Sequence, residues 1–243
     1  MIEAILLDCG GVVVYPESGE WLAPANLDAI LNGRKLSFSM EDAKRAFARH
    51  AHFMDEGQLI TGLGHERALR VEFNRLMNED LHAGLNLAQI DAVVDYLTYA
   101  DSKYALYPDA HEGVDALCAK YRVGFLSNAL PSMIRALDTS GITARLSCFT
   151  VSCLCGCQKP GEEIYLRALK ELDLPAEKCI FVEDLKDNLF TARRLGLHTI
   201  RMRREKYLNV PMPDFDWPGR EAHDLSDVLR LVDAHNAGTA SLT

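Results

Sequence analysis

Residues 2–7 form a short, mostly apolar run that stops at Asp8-Cys9-Gly10-Gly11. An apolar run closed by polar and glycine residues predicts a buried strand whose C-terminal end opens into a loop. Val12-Val13-Val14 keeps the β-like character, and Pro16 breaks it. Between 17 and 104 the spacing turns helical. Ser39-Met40-Glu41-Asp42 resembles a capping box, followed by Ala43, Ala46, Phe47 and Phe53. Ala68, Leu69, Phe73, Leu76 and Met77 repeat the spacing, as do Leu87, Ile90, Val93, Val94 and Leu97. Nothing in this stretch alternates like a strand, so it predicts a block of about four helices.

Beyond Tyr107-Pro108 strands and helices alternate. Val114 and Leu117 predict a helix, residues 121–126 a strand ending at Ser127-Asn128, and Pro131 the first turn of the next helix. Residues 148–151 predict a strand, followed by a loop that carries Lys159-Pro160. Ile164, Tyr165, Ala168, Leu169 and Leu172 mark a helix, and residues 179–182 a strand ending at Glu183-Asp184. A helix over 189–195 stops at Gly196, and residues 197–202 form a further strand. A Pro- and Asp-rich stretch at 211–218, a helix over 225–232 and a frayed tail at 237–243 complete the reading. The alternation predicts an α/β fold, with a Rossmann-like parallel sheet and helices on both faces. An all-helical insertion over 15–104 divides a core made of 1–14 and 105–243.

Composition narrows the function. The chain has 243 residues, a formal net charge of −9, 48% apolar and 25% charged residues. This is an ordinary globular balance. Its acidity argues against nucleic acid as a partner. No apolar run is long enough to span a membrane. The opening Met1-Ile2-Glu3 shows no basic segment or long apolar stretch, and the seven cysteines are odd in number. Together these predict free thiols and a cytoplasmic location.

In an open parallel sheet, ligands bind beyond the carboxyl ends of the strands. Asp8, Ser127-Asn128 and Glu183-Asp184 fall at such ends, and Lys159 lies in a loop after one. Three carboxylates would then meet one hydroxyl and one ammonium. Clustered carboxylates repel one another unless a cation lies between them, and hard oxygen ligands suit Mg²⁺. Lys159 and Ser127 match the remaining oxygens of a phosphate. A carboxylate beside the phosphorus can act as a covalent nucleophile.

Four segments resemble the motifs of the haloacid dehalogenase-like hydrolase superfamily. They are Leu6-Leu7-Asp8-Cys9-Gly10-Gly11-Val12, Phe125-Leu126-Ser127-Asn128, Gln158-Lys159-Pro160 through Ile164-Tyr165, and Phe181-Val182-Glu183-Asp184 with Asn188 and residues 192–196. Their order and spacing make the match specific. The helical block has the position and character of that superfamily's cap. The resemblance implies a phosphatase with Asp8 as nucleophile, forming an aspartyl-phosphate. It implies Mg²⁺ held by Asp8, the Gly10 carbonyl and Asp184, with Glu183 beside them. Ser127 and the Asn128 N–H would hold phosphate, Lys159 would neutralise the negative charge, and Asp187 or Asn188 would orient Lys159. The substrate would be a small phosphorylated metabolite, a sugar phosphate or a nucleotide.

One departure stands out. Phosphatases of the superfamily usually carry a second Asp two residues after the nucleophile, as general acid and base; here Gly10 stands there. General acid–base help is typically worth about 10²–10⁴-fold. A slow phosphatase is expected, or one that takes its proton from water, a cap residue or the substrate, with Gly10→Asp expected to speed poor leaving groups. Two other readings stay open. One is a metal-independent 2-haloacid dehalogenase, against which the acidic fourth motif argues. The other is a weakly catalytic binding module, for which Gly10 is the sole support. Arg49 and His52 are candidate substrate contacts, and Trp21 reads as packing. Cys9 beside the nucleophile suggests sensitivity to oxidation. Cys153, Cys155 and Cys157, with Cys148 upstream, lack the paired spacing of structural zinc sites, and the segment reads as an ordinary loop.

Overall fold

The computed structural model describes residues 1–55, 57–204 and 215–242. Its centre is a six-stranded, all-parallel sheet. The strands are β1 (Ala4–Leu7), β4 (Arg122–Ser127), β5 (Cys148–Val151), β6 (Cys179–Glu183), β7 (His198–Met202) and β8 (Arg220–Ala222). Their order is β5-β4-β1-β6-β7-β8. The apolar run at the N-terminus becomes the central strand because it is covered on both faces and paired on both edges. Leu7 lies opposite Phe125 of β4 and Val182 of β6. The chain leaves β1 towards β4 and β5 on one side, then crosses to β6 on the other. That reversal opens a crevice at the carboxyl end of β1.

Successive residues of β1 face opposite layers, as strand geometry requires. Ile5 and Leu7 join the larger core with α5 (Ala110–Cys118), α6 (Pro131–Ser140) and α10 (Leu225–Asn236). Ala4 and Leu6 join the smaller one with α8 (Glu162–Leu172) and α9 (Lys186–Arg194). Helix ends follow their sequence signals. Pro131 occupies the first turn of α6, and Gly141, with φ 78°, closes it. β8 was not foreseen. It is three residues long and follows the Pro- and Asp-rich stretch, of which 211–214 lie outside the described residues. A four-residue helix, α7 (Ser152–Cys155), lies in the loop after β5.

The helical stretch lies between two short strands, β2 (Val14–Pro16) and β3 (Tyr104–Leu106), which pair antiparallel. This ribbon corrects the expectation of a break at Pro16 and of a purely helical stretch up to 104. Pro16 pairs with Tyr104 at the end of the ribbon, where its missing N–H costs little. Between the strands lie α1 (Leu27–Ile30), α2 (Met40–His50), α3 (Leu63–Asp80) and α4 (Leu87–Tyr99). Ser39 caps α2 by accepting from Asp42 N–H, and Asn86 with Gln89 forms a reciprocal capping box on α4.

A buried polar seam ties this insertion to the core. Glu66 of α3 accepts from the Ser132 N–H at 2.8 Å, the Ser132 hydroxyl at 2.7 Å and the Arg70 Nε at 2.8 Å. The Tyr104 hydroxyl lies 3.2 Å from the Ser132 hydroxyl and accepts from Lys103 at 2.8 Å. The tail over 237–242 is not frayed as expected. Leu242 is buried in the larger core, and the Ser241 carbonyl accepts from Arg220. Among the described residues, no helix is long and apolar enough to cross a membrane.

Candidate active site

Four strand ends and loops converge at the carboxyl edge of β1. Asp8 follows β1 directly, and its N–H donates to the Val182 carbonyl of β6 at 3.0 Å. The register that sets Leu7 opposite Val182 makes Glu183 the neighbour of Asp8 across the ladder. Ser127 ends β4 and is fully buried. Lys159 reaches in from the loop after α7. Its Nζ donates to Asp8 Oδ1 and to Glu183 Oε2, both at 2.7 Å. Sequence and structure therefore agree that these residues meet.

The partners of each group decide its chemistry. Glu183 Oε1 accepts from the N–H groups of Asp184 (2.9 Å) and Leu185 (3.1 Å). Its Oε2 accepts from Lys159 and from Asn188 Nδ2 (2.8 Å). Four donors engage this carboxylate, and it still belongs to the cluster it was expected to form with Asp8 and Asp184. Asn188 holds Lys159 only through Glu183, and Tyr165 in turn donates to the Asn188 carbonyl. Asp187 is exposed on the first turn of α9 and takes no part in this network.

Asn128 differs from expectation in its side chain. Its Oδ1 accepts from the Lys159 N–H at 2.8 Å and its Nδ2 donates to the Lys159 carbonyl at 2.9 Å. The amide thus clamps the lysine's own peptide. Ser152 supports the same turn through the Ala129 N–H at 3.0 Å.

Burial and crowding set the charges. Burial and the nearby Glu183 push the Asp8 carboxyl up to about 6, against the opposing pull of Lys159. Burial works to discharge Lys159, but its two carboxylates win and raise it above its ordinary value. Glu183 is held below the carboxylate range; Lys159 and the hydrogen bonds from Asp184, Lys159 and Asn188 overcome its burial. Asp184 is pushed well above that range by burial and by Glu183. Among the described residues, no ion pair neutralises Asp184.

Two glycines shape the loop after Asp8. Gly11 has φ +72°, a conformation that favours glycine. A Cβ on it would lie 2.3 Å from Asp184 Oδ2, so Asp184 occupies the space that a side chain at 11 would need. Oxygens of Asp8, Glu183 and Asp184 lie within 4.8 Å of one another. At Gly10, a Cβ would meet the Trp21 ring at 3.3 Å to Cη2 and 3.4 Å to Cζ2. Trp21, expected only to pack, therefore covers the residue two positions after Asp8. Arg204 also escaped the sequence reading. It donates to the Val12 carbonyl at 2.8 Å and pairs with Asp109 at 2.6 Å, which fixes the far side of the loop.

The two candidate substrate contacts have partners within the insertion. The Arg49 guanidinium pairs with Asp80 at 2.7 Å, at the C-terminal end of α3. Glu66, at the opposite end, makes the contact with the core, and fourteen helical residues separate the two by about 21 Å. His52 is exposed and lies against Phe53, with ring centroids 4.2 Å apart. Cys9 is fully buried, and burial and Asp8 raise its thiol far above the usual range, which disfavours the thiolate. All seven cysteines are free. Cys155 and Cys157 have sulfurs 3.2 Å apart on the loop before Lys159.

Comparison with known proteins agrees with this geometry. The chain is 29% identical to the glyceraldehyde 3-phosphate phosphatase of Methanopyrus kandleri, over 95% of this chain and 98% of that one. Its fold matches a defluorinating L-2-haloacid dehalogenase with a TM-score of 0.71 and 22% identity, over 96% of each chain. It also matches a phosphatase from Thermococcus onnurineus with a TM-score of 0.59 and 16% identity, over 95% of this chain and 98% of that one. The fold thus has neighbours of both chemistries. Residues 2–196 match the family described as haloacid dehalogenase-like hydrolase, and the chain belongs to that family of hydrolases.

Proposed function

We propose that this hydrolase is a Mg²⁺-dependent phosphatase acting on a small phosphomonoester through an aspartyl-phosphate on Asp8. The observation that carries the reading is the third carboxylate. Asp8 and Glu183 share one ammonium, and Asp184 is held within reach of both by a glycine that clears space for it. With all three ionised and Lys159 charged, the cluster carries two uncompensated negative charges. A divalent cation cancels both. Asp8 and Asp184 are free to hold it together with the Gly10 carbonyl, while Glu183 fixes Lys159. Bound there, Mg²⁺ would offset charge on the phosphoryl oxygens. The dehalogenase reading gives Asp184 no such task.

Lys159 holds one oxygen of Asp8, leaving the other to attack phosphorus. The P–O bond to the leaving group breaks as the Asp8–phosphorus bond forms. Water then hydrolyses the aspartyl-phosphate, and Asp8 returns as a carboxylate with inorganic phosphate released. Ser127 and the Asn128 N–H contribute donors to the phosphoryl oxygens, and Lys159 neutralises developing charge. The helical insertion acts as a cap over this edge, tied down through Glu66 and Ser132.

A screen of phosphorylated metabolites with and without Mg²⁺ tests the proposal, with Asp8→Asn as control. Phosphate release that needs both the metal and Asp8 supports it. Metal-independent halide release from 2-haloacids selects dehalogenation instead. Inactivity on every compound, with no metal bound, selects a binding role.

A further inference from the structure

Position 10 offers no side chain to give a proton and faces an aromatic wall. Lys159 is committed to two carboxylates, and Cys9 is fully buried. Position 10 has no side chain. The benzo edge of the Trp21 indole fills the space above it, at 3.3 Å and 3.4 Å from where a Cβ would stand. Tyr104 backs this indole with ring centroids 6.3 Å apart, and Tyr104 is itself anchored to Ser132 and Lys103. Trp21 nonetheless stays 39% exposed. An indole that is braced on one side and open on the other, next to the nucleophile, is a surface for a ligand. Any larger residue at 10 would displace it.

We propose that Trp21 is a specificity-determining residue, selecting phosphomonoesters whose leaving group is flat and aromatic. This rests on the phosphatase reading above and names its substrate class. The two features favour the same compounds. Aromatic faces stack on an indole, and aryl alcohols leave as weakly basic anions, with a pKa of about 10 for a phenol. Such anions need no proton from the enzyme as the P–O bond breaks. Alkyl alkoxides do, and nothing at position 10 supplies one.

Three substrates separate the two features. Benzyl and cyclohexylmethyl phosphate both release alkyl alcohols and differ in the flatness of the ring. Phenyl phosphate releases a phenol. For the wild type, kcat/KM for benzyl phosphate should exceed that for cyclohexylmethyl phosphate by roughly 2- to 12-fold, the range of aromatic pair energies. Trp21→Ala should bring this ratio close to one, and Trp21→Phe should keep most of it. Phenyl phosphate should exceed benzyl phosphate by about a hundredfold or more, the gap that missing acid catalysis leaves. In a Trp217→Phe background Trp21 is the sole indole. There, benzylphosphonate should change its fluorescence and ethylphosphonate should not.

A ratio near one in the wild type, or one unmoved by Trp21→Ala, overturns the assignment. Faster turnover of glyceraldehyde 3-phosphate than of phenyl phosphate also overturns it. Failure of the underlying reading looks different: no Asp8-dependent phosphate release from any of these compounds, which removes the inference with it.

Discussion

Glu183→Gln tests the division of labour in the acidic cluster. The substitution keeps shape and removes one charge. One side-chain oxygen remains, and it can serve the Asp184 and Leu185 N–H groups as before. The new NH₂ then faces Lys159 Nζ and Asn188 Nδ2, both donors, at the present 2.7 Å and 2.8 Å. Asn188 can turn its amide and accept from the NH₂. Lys159 has no acceptor to offer and keeps only Asp8. Breaking a buried ion pair by removing one partner costs about 3–5 kcal/mol. Relief of the repulsion between Glu183 and Asp8 offsets part of this, so the lower end, about 3 kcal/mol, is expected. That is a large share of a typical folding stability of about 5–15 kcal/mol. Urea unfolding of metal-free protein at neutral pH reads the loss as a lower midpoint at unchanged slope. Mg²⁺ affinity measured by calorimetry should also weaken, because one negative charge has left the cluster. A loss below about 1 kcal/mol would refute the reasoning, since it would mean that Lys159 does not depend on Glu183.

Gly11→Ala should cost about 1–2 kcal/mol for placing an alanine at φ +72° and, by displacing Asp184, should weaken Mg²⁺ binding; unchanged calorimetric affinity would contradict the cradle. In metal-free protein, Asp8 favours its protonated form in the fold, so its contribution is full below 3.8 and is lost as pH rises through about 6. At about 1.4 kcal/mol per pH unit over that interval, stability relative to Asp8→Asn should fall by about 3 kcal/mol, and saturating Mg²⁺ should flatten the fall. An identical pH profile in the two proteins would argue against a buried, crowded Asp8. Gly10→Asp alone should gain little on alkyl phosphates, because its Cβ meets the Trp21 ring; with Trp21→Ala added, turnover of alkyl phosphates should rise towards the 10²–10⁴-fold range of general acid catalysis. A full gain in the single variant would show that the indole yields freely.

The central strands were legible because a parallel strand buried on both faces is a continuous apolar run. β4 and β6 end on a polar residue, and β1 is followed by one, so Ser127, Glu183 and Asp8 could be placed at the carboxyl edge from the pattern alone. Contacts between distant segments left no such trace. Trp21 lies in an irregular stretch without periodicity, and only the ribbon of β2 and β3 brings its ring over Gly10. Arg49 meets a related limit, because helical spacing shows a face, not the end at which a helix docks. That end is set by Glu66, a charged residue fully buried against Ser132, which periodicity would have assigned to solvent.

The limit of pattern reading is sharpest at Glu183 and Asp184. The two are adjacent and acidic, and at the end of a strand either could ligate a metal. Their backbone positions give them opposite fates. Glu183, the last residue of β6, turns its carboxylate onto the N–H groups that begin the next turn and onto Lys159. Asp184, one residue on, lies over the face of Gly11, and no ion pair to it is seen among the described residues. The same step along the chain gives one carboxylate four hydrogen bonds and the other a raised pKa. A net charge of −9 argues against a nucleic-acid partner. At this edge it amounts to one carboxylate that holds the lysine, one that the proposal makes the nucleophile, and one left over. The surplus belongs to Asp184, and for that reason the functional proposal stands or falls on a divalent cation at that residue.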